Sequence, residues 1–209
     1  MLTQMSEGAF EDSNRYFAQG FRERRAMVIL RGFDADRTVE LARRAWSSGI
    51  ALVEVPLQDE RSAQALTAAV AAAREEGRQV GAGTIVSVEL AERAAHLGAS
   101  FTVAPGCDLR VAARSVELGM PHLPGVGSAT EVQAAMRAGL RWLKAFPATS
   151  LGVTWIEAMQ GPFPTARFVA TGGIDADNAR DFLDRGTAGV SFGNSFADVT
   201  AAAIAALPS

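Results

Sequence analysis

Residues 49–83 read GIALVEVPLQDERSAQALTAAVAAAREEGRQVGAG. A short apolar run, Ala51–Val55, leads into Arg61–Glu76, where apolar positions recur at i, i+3 and i+4 as on one face of a helix. Gly77 then stands where a helix C-cap favours glycine, and a second apolar run, Gln79–Gly83, follows. Strand, helix and strand in so short a stretch describe two parallel strands joined by a crossover helix.

The same unit recurs in both directions. Apolar runs at Met27–Arg31, Ser100–Ala104, Met120–Leu123, Arg141–Phe146, Arg167–Thr171 and Gly189–Phe192 read as further buried strands, with starts 20 to 28 residues apart. Helical patterns fill the intervals, for example at Asp36–Ser48, Val88–Leu97, Asp108–Leu118, Ala129–Ala138 and Ala176–Arg185. Gly49, Gly98, Gly119, Gly139 and Gly186 end helices as Gly77 does, and Asp36, Ser87, Asp108, Ser128 and Asp175 open them. Eight strands alternating with eight helices predict a single (β/α)₈ TIM barrel over residues 26–209. An open doubly wound sheet is the competing architecture. Residues 1–25 form an N-terminal extension, in which Ala9–Phe21 is expected to be an extra helix plugging the barrel bottom.

Composition narrows the function. The 209 residues carry a net charge of −3, with no basic excess to hold a phosphodiester backbone, so nucleic acid is not an expected partner. Cys107 is the sole cysteine, which excludes an intramolecular disulfide and a cysteine-built zinc site. His96 and His122 are the only histidines, so no metal is expected; Cys107 and His122 read as structural. The longest apolar run, Ala65–Ala73, is interrupted by Thr67 and falls far short of the ~20 residues that span a bilayer. The first residues, MLTQMSEGAFEDSNRYF, contain early acids and no apolar h-region, so a cytoplasmic enzyme without a membrane partner is expected.

The 20 basic residues comprise 19 arginines and a single lysine, Lys144. Arginine replaces lysine wherever a solvated cation suffices, but it cannot supply a neutral amine. Lys144 is therefore a candidate nucleophile. If Leu143 faces the surrounding helices, Lys144 faces the barrel interior, where poor solvation lowers an ammonium's pKa. The other reading is a lysine at a strand end paired with a carboxylate. Glu54, among Leu52, Val53 and Val55, is either a general acid/base or half of a buried ion pair.

Barrel chemistry gathers at the C-terminal strand ends, and phosphate often binds after strands seven and eight. There the chain has Thr171-Gly172-Gly173 and Gly193-Asn194-Ser195, glycine-rich loops that suit an anion or serve as plain turns. Arg31 ends strand one as an anchor for a carboxylate or phosphate, or as a salt-bridge partner of Glu54. Gln58, Thr84, Pro105 and Phe146 share the mouth.

Ten segments in order carry a family resemblance: ILRG (29–32), GIALVEVPLQ (49–58), GAGTI (81–85), APG (104–106), LPG (123–125), SATE (128–131), AGLRWLKAFPA (138–148), GPF (161–163), ATGGI (170–174) and FGNS (192–195). The chain resembles the 2-keto-3-deoxy-6-phosphogluconate and 2-keto-3-deoxy-6-phosphogalactonate aldolases, class I pyruvate aldolases. The resemblance implies a lyase without a cofactor, in which Lys144 forms the Schiff base and Glu54 is the general acid/base. It implies that Thr84 and Pro105 sit beside the pyruvyl group, that Arg31 anchors the substrate, and that Gly172, Gly173 and Ser195 hold phosphate. It further implies a homotrimer. The expected reaction is reversible cleavage of a phosphorylated keto sugar acid to pyruvate and glyceraldehyde 3-phosphate. Gln58 resembles the galactonate-type pattern and Thr171 the gluconate type. A 4-hydroxy-2-oxoglutarate aldolase, a phosphosugar isomerase or epimerase, and a non-catalytic phosphosugar-binding barrel are the alternatives.

Overall fold

Each apolar run becomes a short strand, and every neighbouring pair is parallel. The computed structural model describes residue 8 and residues 10–207. Its strands are β1 (Ala26–Ile29), β2 (Leu52–Pro56), β3 (Gly81–Gly83), β4 (Thr102–Val103), β5 (His122–Leu123), β6 (Gly125–Val126), β7 (Trp142–Ala145), β8 (Arg167–Thr171) and β9 (Gly189–Phe192). They form one sheet in the order β5-β4-β3-β2-β1-β9-β8-β7-β6. The two ends of that order, β5 and β6, are one stretch of chain interrupted by Pro124. Proline has no N–H to give a ladder, so the fifth staves splits into two pieces. Its first half pairs with β4 and its second with β7, and the sheet thereby closes on itself as the expected eight-stave barrel.

Alternation sorts the side chains into two layers. Val28, Val53, Val55, Ala82, Val190 and Phe192 face outward into the core beneath the helices. Met27, Ile29, Leu52, Phe101, Val103, Leu123 and Val169 fill the barrel's interior. On β7, Leu143 and Ala145 pack outward, which turns Lys144 inward; on β2, Val53 and Val55 do the same for Glu54.

The outer layer is α2 (Ala35–Ser47), α3 (Glu60–Glu75), α4 (Val88–His96), α5 (Leu109–Glu117), α6 (Ala129–Ala138), α7 (Ala148–Leu151), α8 (Val153–Gln160), α9 (Ala179–Asp184) and α10 (Ala201–Ala205). Ser87, Asp108 and Ser128 cap their helices as expected from sequence. Two caps differ. Helix α2 is capped by Asp34, whose carboxylate accepts from the Arg37 N–H, so Asp36 lies inside the helix. Asp175 accepts from the N–H groups of Asp177 and Asn178 and closes a turn ahead of α9. Helix α3 carries an unexpected capping box between Asp59 and Ser62.

The N-terminal helix α1 (Glu11–Gly20) lies across the N-terminal ends of the strands; Ala9, within the expected helix, falls outside the described residues. Its Phe17 meets Phe101 edge-on at 5.8 Å, and Phe21 stacks on Trp142 at 5.0 Å. Two strands that begin on glycine make room for these rings. A Cβ at Gly81 would lie 2.3 Å from the Phe101 ring, and one at Gly189 would lie 2.6 Å from Phe21. Asn14 then ties the helix to the sheet, donating to the Gly139 carbonyl and accepting from the Arg141 N–H, each at 2.8 Å. The bottom is thus closed with rings, leaving the opposite mouth as the accessible end.

Candidate active site

Lys144 and Glu54 both point into the barrel from strand positions whose neighbours are apolar. Lys144 is 3% exposed and Glu54 is fully buried. Neither Glu54 carboxyl oxygen has a hydrogen-bond partner among the described residues. Burial pushes the Glu54 carboxyl above the usual carboxylate range, against an opposing pull from Lys144 and then Arg31. Burial likewise pushes the Lys144 ammonium below its ordinary value; Glu54 pulls it back up and Arg31 adds to the lowering. The two groups therefore share an environment that disfavours charge on either, which is how a barrel wall makes an amine nucleophilic and a carboxyl basic near neutrality. The Lys144 Nζ sits 5.3 Å from the centroid of Phe146, whose ring roofs it at the mouth.

Room for Glu54 comes from the neighbouring strand. A Cβ on Gly83 would fall 1.8 Å from Glu54 Oε1. The glycine of GAGT is required there by the carboxyl group beside it.

Arg31 does not bond Glu54. It reaches across the rim, donating to Gln58 Oε1 at 2.7 Å and to Thr84 Oγ1 at 3.2 Å. Thr84 holds a left-handed backbone, φ 61°, which a β-branched residue rarely adopts and which costs on the order of 1–3 kcal/mol. The strained turn puts its hydroxyl on the guanidinium. Arg31, Gln58 and Thr84 so form one pre-set polar edge.

The loops after β8 and β9 meet on the other side of the mouth. Gly172 and Gly173 take φ 97° and 75°. A Cβ at Gly173 would be 2.3 Å from Thr149 Oγ1, so backbone conformation and space both call for glycine. Their carbonyls are pinned away from the cavity: that of Gly172 accepts from Thr149 Oγ1 at 3.2 Å, and that of Gly173 from Asn178 Nδ2 at 2.8 Å. The N–H groups of Gly173, Ile174, Asn194 and Ser195 have no backbone acceptor among the described residues. Ser195 Oγ donates to the Ile174 carbonyl at 2.8 Å and fastens the two loops together.

One cavity of ≈ 370 Å³ joins most of these groups. Of the residues singled out from sequence, Arg31, Lys144, Phe146, Thr171, Gly172, Gly173, Gly193, Asn194 and Ser195 line it. Glu54 lies beneath it, coupled to Lys144 and Arg31, and Gln58 lines an adjoining recess with Arg31. Pro105 is set apart: its carbonyl packs where a Cβ on Gly125 would stand, 2.2 Å away, and it does not line the cavity. Four further residues line it, Ile29, Ile174, Asp175 and Ser191, and the two polar ones were not singled out as site residues. Ser191 looked like an ordinary strand residue, yet its buried hydroxyl has no partner among the described residues. Period-2 alternation with Val190 and Phe192 would have turned it inward.

An amine and a carboxyl withheld from water, beside a cavity rimmed by a guanidinium and free N–H groups, define a barrel enzyme suited to carbonyl chemistry on an anionic substrate. The comparisons with known proteins narrow the class. A family model for KDPG and KHG aldolase matches residues 18–205. The chain is 40% identical over 148 residues to the 2-dehydro-3-deoxy-phosphogluconate aldolase of Treponema pallidum, covering 69% of each chain. It is 32% identical to the 2-dehydro-3-deoxy-6-phosphogalactonate aldolase of Escherichia coli K12, over 80% of this chain and 82% of that one. The 2-keto-3-deoxy-6-phosphogluconate aldolase of Zymomonas mobilis ZM4, solved with 3-phosphoglycerate, superposes with a TM-score of 0.78 at 26% identity, over 94% of this chain and 93% of that one. The chain belongs to the KDPG and KHG aldolase family and is an aldolase, a carbon–carbon lyase.

Proposed function

We propose that this aldolase reversibly cleaves a 2-keto-3-deoxy-6-phospho sugar acid to pyruvate and glyceraldehyde 3-phosphate, with Lys144 as Schiff-base nucleophile and Glu54 as general acid/base. The observation that carries this reading is the Glu54 carboxyl, fully buried with both oxygens unpartnered and coupled to the lone lysine. A buried carboxyl left unpartnered costs several kcal/mol, a cost that makes sense where a reacting group completes the site.

The Lys144 amine adds to the C2 ketone, and loss of water gives an iminium. Glu54 takes the proton of the C4 hydroxyl. The C3–C4 bond breaks, its electron pair flows into the iminium to give an enamine, and C4 leaves as the aldehyde. Protonation at C3 by Glu54 regenerates the iminium, and water releases pyruvate and the free amine. The iminium acts as the electron sink throughout.

The remaining residues hold the substrate in place. Arg31, fixed by Gln58 and Thr84, binds a substrate oxyanion, and Phe146 and Thr171 shape the walls around the keto acid. The free N–H groups around Gly172, Gly173, Gly193, Asn194 and Ser195 receive the phosphate, which places binding energy remote from the reacting bond. Relatives named for phosphogluconate and phosphogalactonate substrates, one of them solved with 3-phosphoglycerate, support a phosphorylated ligand. Gln58 lines the rim recess and Thr171 the cavity, and it is the likeness to the galactonate-type and gluconate-type patterns that makes these two side chains candidates for epimer choice at C4.

We infer a homotrimer working in the cytoplasm, by likeness to the family. Light scattering that returns a monomer would contradict the trimer. The activity is tested by coupling pyruvate release to lactate dehydrogenase with each C4 epimer. Wild type should turn over at least one, and Glu54→Gln should lose about 10²–10⁴ in kcat. Turnover of neither epimer, with the protein folded, would refute the reading.

A further inference from the structure

The loop after β9 is fastened to its neighbour at Ser195 and is also gripped from behind. Gly193 is irregular chain, and Asn194–Ala197 is a single 3₁₀ turn. The grip comes from the outer layer. Arg44, in the last turn of α2, sends its guanidinium to three carbonyls of the segment that follows: Phe196, Ala197 at 3.0 Å and Val199 at 3.3 Å. The same plane lies over the Phe196 ring, 4.5 Å from its centroid, while Phe196 itself is fully buried. Side chains on a helix lean toward its N-terminus, and α2 runs away from the mouth, so an arginine in its last turn leans back up toward the mouth.

We propose that Arg44 is a positioning residue for phosphate recognition: it clamps the segment behind Gly193–Ser195 and so fixes the N–H groups of Asn194 and Ser195 toward the anion. The inference rests on the phosphate reading given above. Its physical basis is pre-organisation. Donors already aimed at an anion lose no entropy when it binds, whereas donors on a loose turn must be ordered at the expense of affinity. Arginine suits the task and lysine does not. Three carbonyls need donors in a fixed planar fork, and the flat face must rest on a ring. An ammonium has three donors but no planar fork to spread them across the segment, and it has no flat face to rest on the ring.

Among the described residues the Arg44 guanidinium hydrogen-bonds no cavity-lining residue, so its removal should separate binding of phosphate from the carbon chemistry. The experiment compares wild type, Arg44→Lys and Phe196→Leu on a phosphorylated 2-keto-3-deoxy sugar acid and on the same acid without phosphate. Inorganic phosphate serves as a competing inhibitor. The expected result is a KM about tenfold higher for the phosphorylated substrate, a matching loss of phosphate inhibition, little change in kcat, and unchanged kinetics on the unphosphorylated acid. Phe196→Leu, which keeps the core apolar and removes only the stacking face, should move the same parameters in the same direction by less. An equal loss on both substrates would mean that Arg44 is merely structural and would overturn the proposal. Unchanged phosphate kinetics in Arg44→Lys would also overturn it. The wild-type arm separates the two claims. If wild type itself gains nothing from the substrate's phosphate, the phosphate reading fails and takes this inference with it; if wild type gains and Arg44→Lys does not lose, only the inference on Arg44 fails.

Discussion

At the scale of single residues, the site depends on groups kept from water. In the proposed reaction Glu54 acts as a base only when ionised, and burial raises the pH at which that happens. Lys144 acts as a nucleophile only when neutral, and burial lowers the pH at which that happens. Both steps therefore make kcat/KM rise with pH. The Glu54 limb should lie above the ordinary carboxylate range near 4.3, and the Lys144 limb below the ordinary ammonium value near 10.4. A pH profile whose acid limb falls at an unperturbed carboxylate value would contradict the burial of Glu54. Gly83 sharpens the same point. Gly83→Ala places a methyl group 1.8 Å from Glu54 Oε1, so either the carboxyl moves or the strand does. The variant should lose activity by about a hundredfold and about 1–3 kcal/mol of stability, read by steady-state kinetics and denaturant melts. Lys144 was legible as the only lysine among nineteen arginines. The strain at Thr84 and the need for glycine at Gly83 were not, because both arise from neighbours brought close only by folding.

At the scale of elements, βα units were read from periodicity and capping, and the strands fell where apolar runs did. The departures have local causes. Pro124 breaks the fifth stave into β5 and β6, which a run of apolar letters does not reveal. Helices α7 and α8, between β7 and β8, escaped a specific assignment because Pro147 and Gly152 supply no side-chain cap and each helix is short. One strand position carries its own pH dependence. His122 on β5 is fully buried, its ring Nδ1 is 2.8 Å from Thr102 Oγ1 on β4, and its backbone N–H donates to Ser13 Oγ on α1. Burial drives its pKa from 6.5 down to about 3. The unfolded chain then binds a proton that the folded chain refuses. Stability from this group is full above pH about 6.5 and is lost as pH falls toward 3, by on the order of 1.4 kcal/mol per pH unit. Urea melts between pH 7 and pH 4 should show that slope in wild type, and a shallower one in His122→Asn.

At the scale of the whole molecule, the barrel has a sealed end and a working end. The sealed end is built from α1 and a cluster of rings around Phe17, Phe21, Phe101 and Trp142. Phe17 is fully buried there, so Phe17→Ala should cost about 3–5 kcal/mol in melts while leaving KM near the wild-type value, since the cavity lies at the other end. A large rise in KM at full folding would show that the two ends are coupled. Among the described residues no helix is long and apolar enough to cross a membrane. The working end holds the lone lysine, and the proposed chemistry passes through a covalent bond to it. Borohydride reduction in the presence of pyruvate, followed by intact-mass and peptide mapping, reads that bond in wild type and in Lys144→Arg. The prediction is one stable pyruvyl adduct, mapped to Lys144 and missing from Lys144→Arg. Folded wild type that binds pyruvate yet yields no adduct, or an adduct that survives in Lys144→Arg, would contradict it.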